Sequence, residues 1–224
     1  AQTTDADQVA DADGPTGPVT DTDIDETLDG YGSWEEDADY GRVWRPYATV
    51  VGVDFTHYES CGSWIWTDWG WSYSCDWDWG WLPFHYGRWG WFHGHWGWTR
   101  GHKWGPGWVD WRRGNGMVGW RPMGPTHGHF EQHDAHWSFQ HENEFGHGHI
   151  AGHLNVNPGE GLRGTQSVAR LPIRGTGAPV ASRSLMSGRA QMRAQVRANG
   201  GAGRMGYRQP QTYRPQQSYR QPQT

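Results

Sequence analysis

Three residue types in this 224-residue chain are spaced so that they could do chemistry: acids, histidines and indoles. Asp76 and Asp78 sit two apart, so on an extended strand they would share one face. A pair of that kind could serve glycoside hydrolysis, although it is also common on solvated strands. Eight histidines stand between His127 and His153. His129 with His133 and His149 with His153 have i,i+4 spacing, and His133 with His136 has i,i+3 spacing. On a helix either spacing puts two imidazoles on one face, where they could hold zinc, copper or nickel. The alternative is a polar, Gly-interrupted segment that titrates near pH 6.5. A divalent transition metal on this segment is the one cofactor these residues suggest, and none is required.

The third type dominates. Four Trp-Gly-Trp triplets occur within 30 residues: Trp69-Gly70-Trp71, Trp79-Gly80-Trp81, Trp89-Gly90-Trp91 and Trp96-Gly97-Trp98. On an extended strand each triplet sets two indoles on one face, roughly 6.7 Å apart, and the glycine leaves the other face bare. Such a surface is either an aromatic core or a row of stacking platforms. Sugar rings stack on indoles, and Asp68, Asp76, Asp78 and Asp110 lie close enough in sequence to accept hydroxyl hydrogen bonds. Paired indoles can also cage an arginine.

The supply of other apolar residues weighs between those readings. Sixteen Trp lie between Arg42 and Met123 against eight Val, Ile and Leu, so indoles must supply most of the core. Each can bury 150–250 Å², or about 4–6 kcal/mol. Most triplet indoles are therefore expected inside. A thin sheet cannot hide all sixteen, and exposed aromatic rows mark binding surfaces.

The elements that position these residues read as short strands. Period-two alternation and glycine punctuation place strands at 40–46, 49–55, 64–66, 70–74, 77–86, 89–93, 96–99, 108–111 and 117–120. The expected fold is mainly β, an antiparallel meander of Trp/Gly-rich hairpins flanked by extended low-complexity arms. Gly114-Asn115-Gly116 reads as a hairpin turn, although Gly114 to Gly119 matches a dinucleotide fingerprint in letters. No nucleophile elbow, zinc-protease motif or phosphate loop is present, so the chain is read as a non-enzyme.

Charge divides the chain. Residues 1–41 hold thirteen acids and no Lys or Arg, and residues 160–224 hold eleven Arg and one acid. Four regions follow: an acidic extended arm at 1–30, a Trp-rich β domain at 31–125, a His-rich segment at 126–157 and an Arg/Gln/Pro-rich extended tail at 158–224. Asp21-Thr-Asp-Ile-Asp25 is like the first half of a calcium loop, but the rest of that pattern is missing, which favours a solvated acidic tail. The near-balanced charge of residues 42–159 argues against nucleic acid as partner. The tail ends in a repeat bearing Tyr207, Arg208, Tyr213, Arg214, Tyr219 and Arg220, which could lie across an aromatic groove of a neighbouring copy.

Cys61 and Cys75, fourteen apart among short strands, are placed to form a disulfide, with two buried thiols as the alternative. A disulfide implies an oxidising compartment. The chain starts at Ala1 without an initiator Met, as a mature exported protein would, and has no apolar run long enough to span a membrane.

Several long motifs together resemble a known family. Tyr31-Gly-Ser-Trp34, Tyr40-Gly-Arg-Val-Trp-Arg-Pro46, Gly62-Ser-Trp-Ile-Trp-Thr-Asp68, Trp79-Gly-Trp-Leu-Pro-Phe-His-Tyr-Gly-Arg-Trp89, Trp104-Gly-Pro-Gly-Trp-Val-Asp-Trp-Arg112 and Val118-Gly-Trp-Arg-Pro122 are similar, in order, to the Trp-rich secreted bacterial family catalogued as domain of unknown function 6600. The resemblance covers about residues 28–125 and implies an exported envelope protein with no assigned activity. It supplies no catalytic residues and does not extend to the cysteine pair or the histidines. The reading is a secreted, non-catalytic structural or interaction subunit of a bacterial cell surface or extracellular assembly, meeting copies of itself or other envelope proteins. A glycan-binding module of the envelope is the alternative, and a His-rich metal-binding surface protein the third.

Overall fold

The structure, a computed structural model, describes residues 19–128, 130 and 133–182. The chain is mainly β. Four hairpins carry it: β1 (Gly32–Asp37) with β2 (Gly41–Pro46), β3 (Gly62–Thr67) with β4 (Gly70–Cys75), β5 (Arg88–Phe92) with β6 (His95–Thr99), and β7 (Val109–Gly114) with β8 (Met117–Pro122). Two-residue turns with positive φ close the last two, His93-Gly94 and Asn115-Gly116. Their twist matches that of the flanking strands, which is why Gly114-Asn115-Gly116 is a hairpin and not a phosphate loop.

The hairpins assemble into three antiparallel sheets. One has the order β1-β2-β6-β5, so β6 and not β3 lies beside β2. A second is β10-β7-β8-β9, with β9 at Ser138–His141 and β10 at Gln166–Val168. The β3–β4 hairpin forms the third by itself. Cys61 and Cys75 form a disulfide at its open end, with Cα atoms 4.9 Å apart.

Between the sheets lies an aromatic core. Trp44, Trp64, Trp89, Trp98, Trp104, Trp108 and Trp120 are fully buried with Tyr58, Tyr73, Tyr86, Phe84 and Phe139. Several indoles also satisfy their N–H inside: Trp98 Nε1 donates to Tyr86 O at 2.8 Å, Trp108 Nε1 to His85 O at 3.0 Å and Trp120 Nε1 to Tyr58 O at 3.2 Å. Each such bond avoids the cost of a buried unpaired donor.

Local physics overrides the expected strands in two places. Residues 49–55 fold as a short helix α2 (Ala48–Val51) and a turn that leaves Val53 exposed. Within 77–86 the chain turns into helix α3 (Trp81–His85), with Pro83 in its first turn, where a missing N–H costs nothing.

The arms also differ from expectation. Asp21–Leu28 is a helix, α1, and not an extended arm. Thr20 caps it: its hydroxyl accepts from Asp23 N while the Asp23 carboxylate accepts from Thr20 N at 2.9 Å, a reciprocal capping box. Ile24, Thr27 and Leu28 bury one face, and Arg100 holds the other by ion pairs to Asp21 (2.8 Å) and Asp25 (2.6 Å). The stretch that is like half a calcium loop is thus a capped helix start. The Arg-rich region is not extended from residue 158 either. Asn157 and Pro158 start helix α4 (Pro158–Gly164), and β10 then pairs with β7.

Candidate binding face at the β3–β4 hairpin

The four triplets separate into two environments. Trp89-Gly90-Trp91 and Trp96-Gly97-Trp98 face each other across β5 and β6, with Trp89 opposite Trp98 and Trp91 opposite Trp96. Their four indoles share one sheet face, as strand geometry requires. The bare glycine face is covered by phenylalanine: a Cβ on Gly90 would lie 3.0 Å from the Phe92 ring, and one on Gly97 would lie 2.7 Å from it. The other two triplets are not strands throughout. Trp79-Gly80-Trp81 leads into α3, and Trp69 occupies the β3–β4 turn.

Burial follows those placements. Trp79, Trp81, Trp89 and Trp98 are core residues. Trp79 stacks on Trp77 at 4.8 Å and on Tyr31 at 5.3 Å. Trp91 is 37% exposed, and Trp96 is half-buried with His136 against both of them. On the other side of this patch His57 is enclosed, its ring centroid 3.8 Å from that of Trp96. Burial holds the His57 imidazole well below its usual range.

Trp69 and Trp71 lead to the second aromatic surface. The β3–β4 hairpin is crossed by a strap, residues 169–182, that follows β10. Leu171 is buried, Ile173 is half-buried and its carbonyl accepts from Trp71 Nε1 at 2.9 Å. Farther along, Val180 N donates to Trp66 O at 2.9 Å, and Ser182 N to Asp68 Oδ1 at 2.9 Å. The strap leaves two adjoining clefts of about 610 and 590 Å³, which share Trp66, Trp71 and Arg174. Phe145 and Gly146 complete the first, while Asp68, Trp69, Trp111 and Arg170 line the second. Trp66, Trp69, Trp71 and Trp111 are all half-buried where they line the second cleft.

The acids expected to cooperate are dispersed. Asp68 borders the second cleft. Asp76 and Asp78 lie in the exposed turn after β4 and not on a strand, so they do not form a carboxylate pair on one face. Asp76 is 3.4 Å from His149 Nε2, and Asp110 pairs with Arg121 at 3.3 Å across β7 and β8.

The histidine pairs are not on helices. His133 precedes a single 3-10 turn, Asp134–His136, with its ring centroid 5.5 Å from that of His136. His149 and His153 flank a turn, and His129 lies outside the described residues. Among the described residues no three His, Cys, Asp or Glu side chains converge on one point. Tyr207, Arg208, Tyr213, Arg214, Tyr219 and Arg220 also lie outside them.

Arginines over indoles do occur, away from the triplets. Arg42 and Arg100 lie over Trp34 at 4.7 and 4.8 Å, Arg88 over Trp108 at 3.4 Å, and Arg112 and Arg121 over Trp137 at 5.6 and 4.8 Å. These contacts tie elements of the fold together. Sequence reasoning missed the strap and its Arg170 and Arg174. The available signal was Leu171 and Ile173 at i,i+2 in a region poor in aliphatic residues, which marks an anchored extended segment with 170 and 174 outward.

The architecture defines a disulfide-bonded, mainly β domain whose core is built from aromatic hairpins. Residues 25–127 match the model of the family of unknown function DUF6600. Neither a search of curated proteins nor one of solved structures gave a match. No helix of the described residues is long and apolar enough to cross a membrane.

Proposed function

We propose that the protein is a secreted, non-catalytic interaction subunit of a bacterial cell surface or extracellular assembly, and that it meets its partners through the β3–β4 face. One observation carries this reading. Trp79, Trp81, Trp89 and Trp98 belong to the core, whereas Trp66, Trp69, Trp71 and Trp111 line two adjoining clefts. A fold that keeps indole surface in concave, accessible clefts beside charged side chains has the anatomy of a binding site. The disulfide fits an oxidising compartment.

Self-association is a second contact, outside the clefts: the basic end of one copy, residues 183–224 with eight arginines and no acid, meets the acidic residues 1–41 of another. Light scattering on the full chain tests it. The expected result is a mass above the 25.5 kDa of one chain, falling to monomer when residues 199–224 are deleted. A full chain that stays monomeric at every concentration would remove self-association from the account.

Glycan binding is the second reading, and a specific placement favours it: Asp68, Trp69, Arg170 and Arg174 converge on one cleft. Aromatic faces with a few fixed polar groups are what a sugar requires.

A further inference from the structure

We propose that the cleft between the Asp68-Trp69 turn and the strap binds a carboxylate-bearing polysaccharide. The proposal rests on the reading of the β3–β4 face as the binding surface and adds the ligand class. Trp66, Trp69, Trp71 and Trp111, each half-buried, line a cleft of about 590 Å³, a size ordinary for small-ligand sites. Indole faces suit the C–H surfaces of pyranose rings.

The charge on the rim selects among sugars. Arg170 and Arg174 are exposed, line the cleft and form no ion pair among the described residues. Their backbone is held in place. Leu171 is buried beside Arg170, and the Ile173 carbonyl is bonded to the Trp71 indole beside Arg174, so the intervening backbone is anchored on both alternate residues. A guanidinium on an anchored backbone is a ready partner for a carboxylate, which it can engage through two parallel hydrogen bonds. Asp68 adds an acceptor: Oδ1 takes the Ser182 N–H, and Oδ2 is left for a hydroxyl.

The same charges argue against the chain's own ends. Residues 183–224 carry eight arginines and no acid, so their approach to Arg170 and Arg174 sets like charge against like. Residues 1–18 bring Asp5, Asp7, Asp11 and Asp13 but no ring surface for the indoles. A uronic-acid polymer satisfies both the rings and the guanidinium groups.

The test is titration of the full chain with polygalacturonate, read by tryptophan fluorescence and confirmed by calorimetry. Neutral dextran, polyglutamate and a peptide of residues 1–18 are titrated in parallel. Polygalacturonate is expected to shift the emission and to bind at least about tenfold more tightly than the three comparators. The double variant Arg170→Gln/Arg174→Gln is expected to lose at least about tenfold in affinity with unchanged near-ultraviolet dichroism. Trp69→Ala is expected to weaken binding as well while leaving its salt dependence in place, because the charges remain. Equal binding of polyglutamate or of the 1–18 peptide would overturn the proposal, as would full affinity in the double variant. Failure to bind polygalacturonate in a chain that still self-associates would overturn the proposal alone. Failure of both would overturn the interaction reading with it.

Discussion

Trp71 donates its indole N–H to the Ile173 carbonyl at 2.9 Å, joining two residues 102 positions apart. Through this bond a segment beyond the Trp-rich domain becomes one wall of both clefts. Trp71→Phe keeps most of the ring and removes the donor. The expected cost is about 1 kcal/mol, the worth of one neutral hydrogen bond. Limited trypsin digestion followed by mass spectrometry checks it: cleavage after Arg174 should accelerate relative to the unaltered chain, and an unchanged rate would show that the strap is held by other contacts.

The glycines of the β5–β6 triplets are packed as tightly as their buried indoles. A Cβ on Gly97 would lie 2.6 Å from Val43 Cγ1 and 2.7 Å from the Phe92 ring. Gly97→Ala is therefore expected to destabilise the fold by about 1–3 kcal/mol through overpacking. Adding Phe92→Leu should recover part of that loss. Urea denaturation of the single and double variants measures both effects.

Acid should weaken the fold before most carboxylates titrate. His85 is buried, with its Nδ1 donating to Gly105 O at 2.9 Å, and burial lowers its pKa from 6.5 to about 4. As pH falls below 6.5 the unfolded chain takes up this proton and the folded chain resists it. The stability is therefore complete above pH 6.5 and is lost progressively down to about 4, a difference of about 3 kcal/mol. His57, lowered for the same reason, acts in the same direction. Urea midpoints at pH about 7.5 and about 4.5 check this, and a His85→Gln variant should show a shallower dependence.

Reducing the Cys61–Cys75 bridge should cost about 3 kcal/mol on the chain-entropy estimate for a separation of 14 residues. Denaturation with and without reductant measures it. Because the bridge closes the β3–β4 hairpin, the emission of the cleft indoles should change well before global unfolding.

The hairpins were legible where turn chemistry and strand alternation agreed. Asn115-Gly116 is the clearest case, since both residues take the positive φ that such a turn requires. Trp77 to Tyr86 misled because aromatic alternation imitates a strand; Gly80 and Pro83, acceptable at the start of a helix, were the better guides. Helix α1 was hidden by its acidity, although Thr20 and Asp23 spell a capping box ahead of Ile24 and Leu28. Mean composition does not reveal a cap. Of the cleft indoles, Trp69 and Trp71 were legible from their triplet, and Trp66 and Trp111 were not. The division between cleft and core indoles depends on which sheet each hairpin joins, and the pairing of β2 with β6 is a long-range fact that no local pattern carries.

The central claim is that partners meet this protein on the β3–β4 face. Fluorine NMR of the full chain labelled with 5-fluorotryptophan, recorded with and without polygalacturonate, tests it most directly. The account predicts shifts in the resonances of Trp66, Trp69, Trp71 and Trp111, with Trp89 and Trp98 unmoved. Shifts centred on Trp91 and Trp96, with the cleft indoles silent, would contradict it.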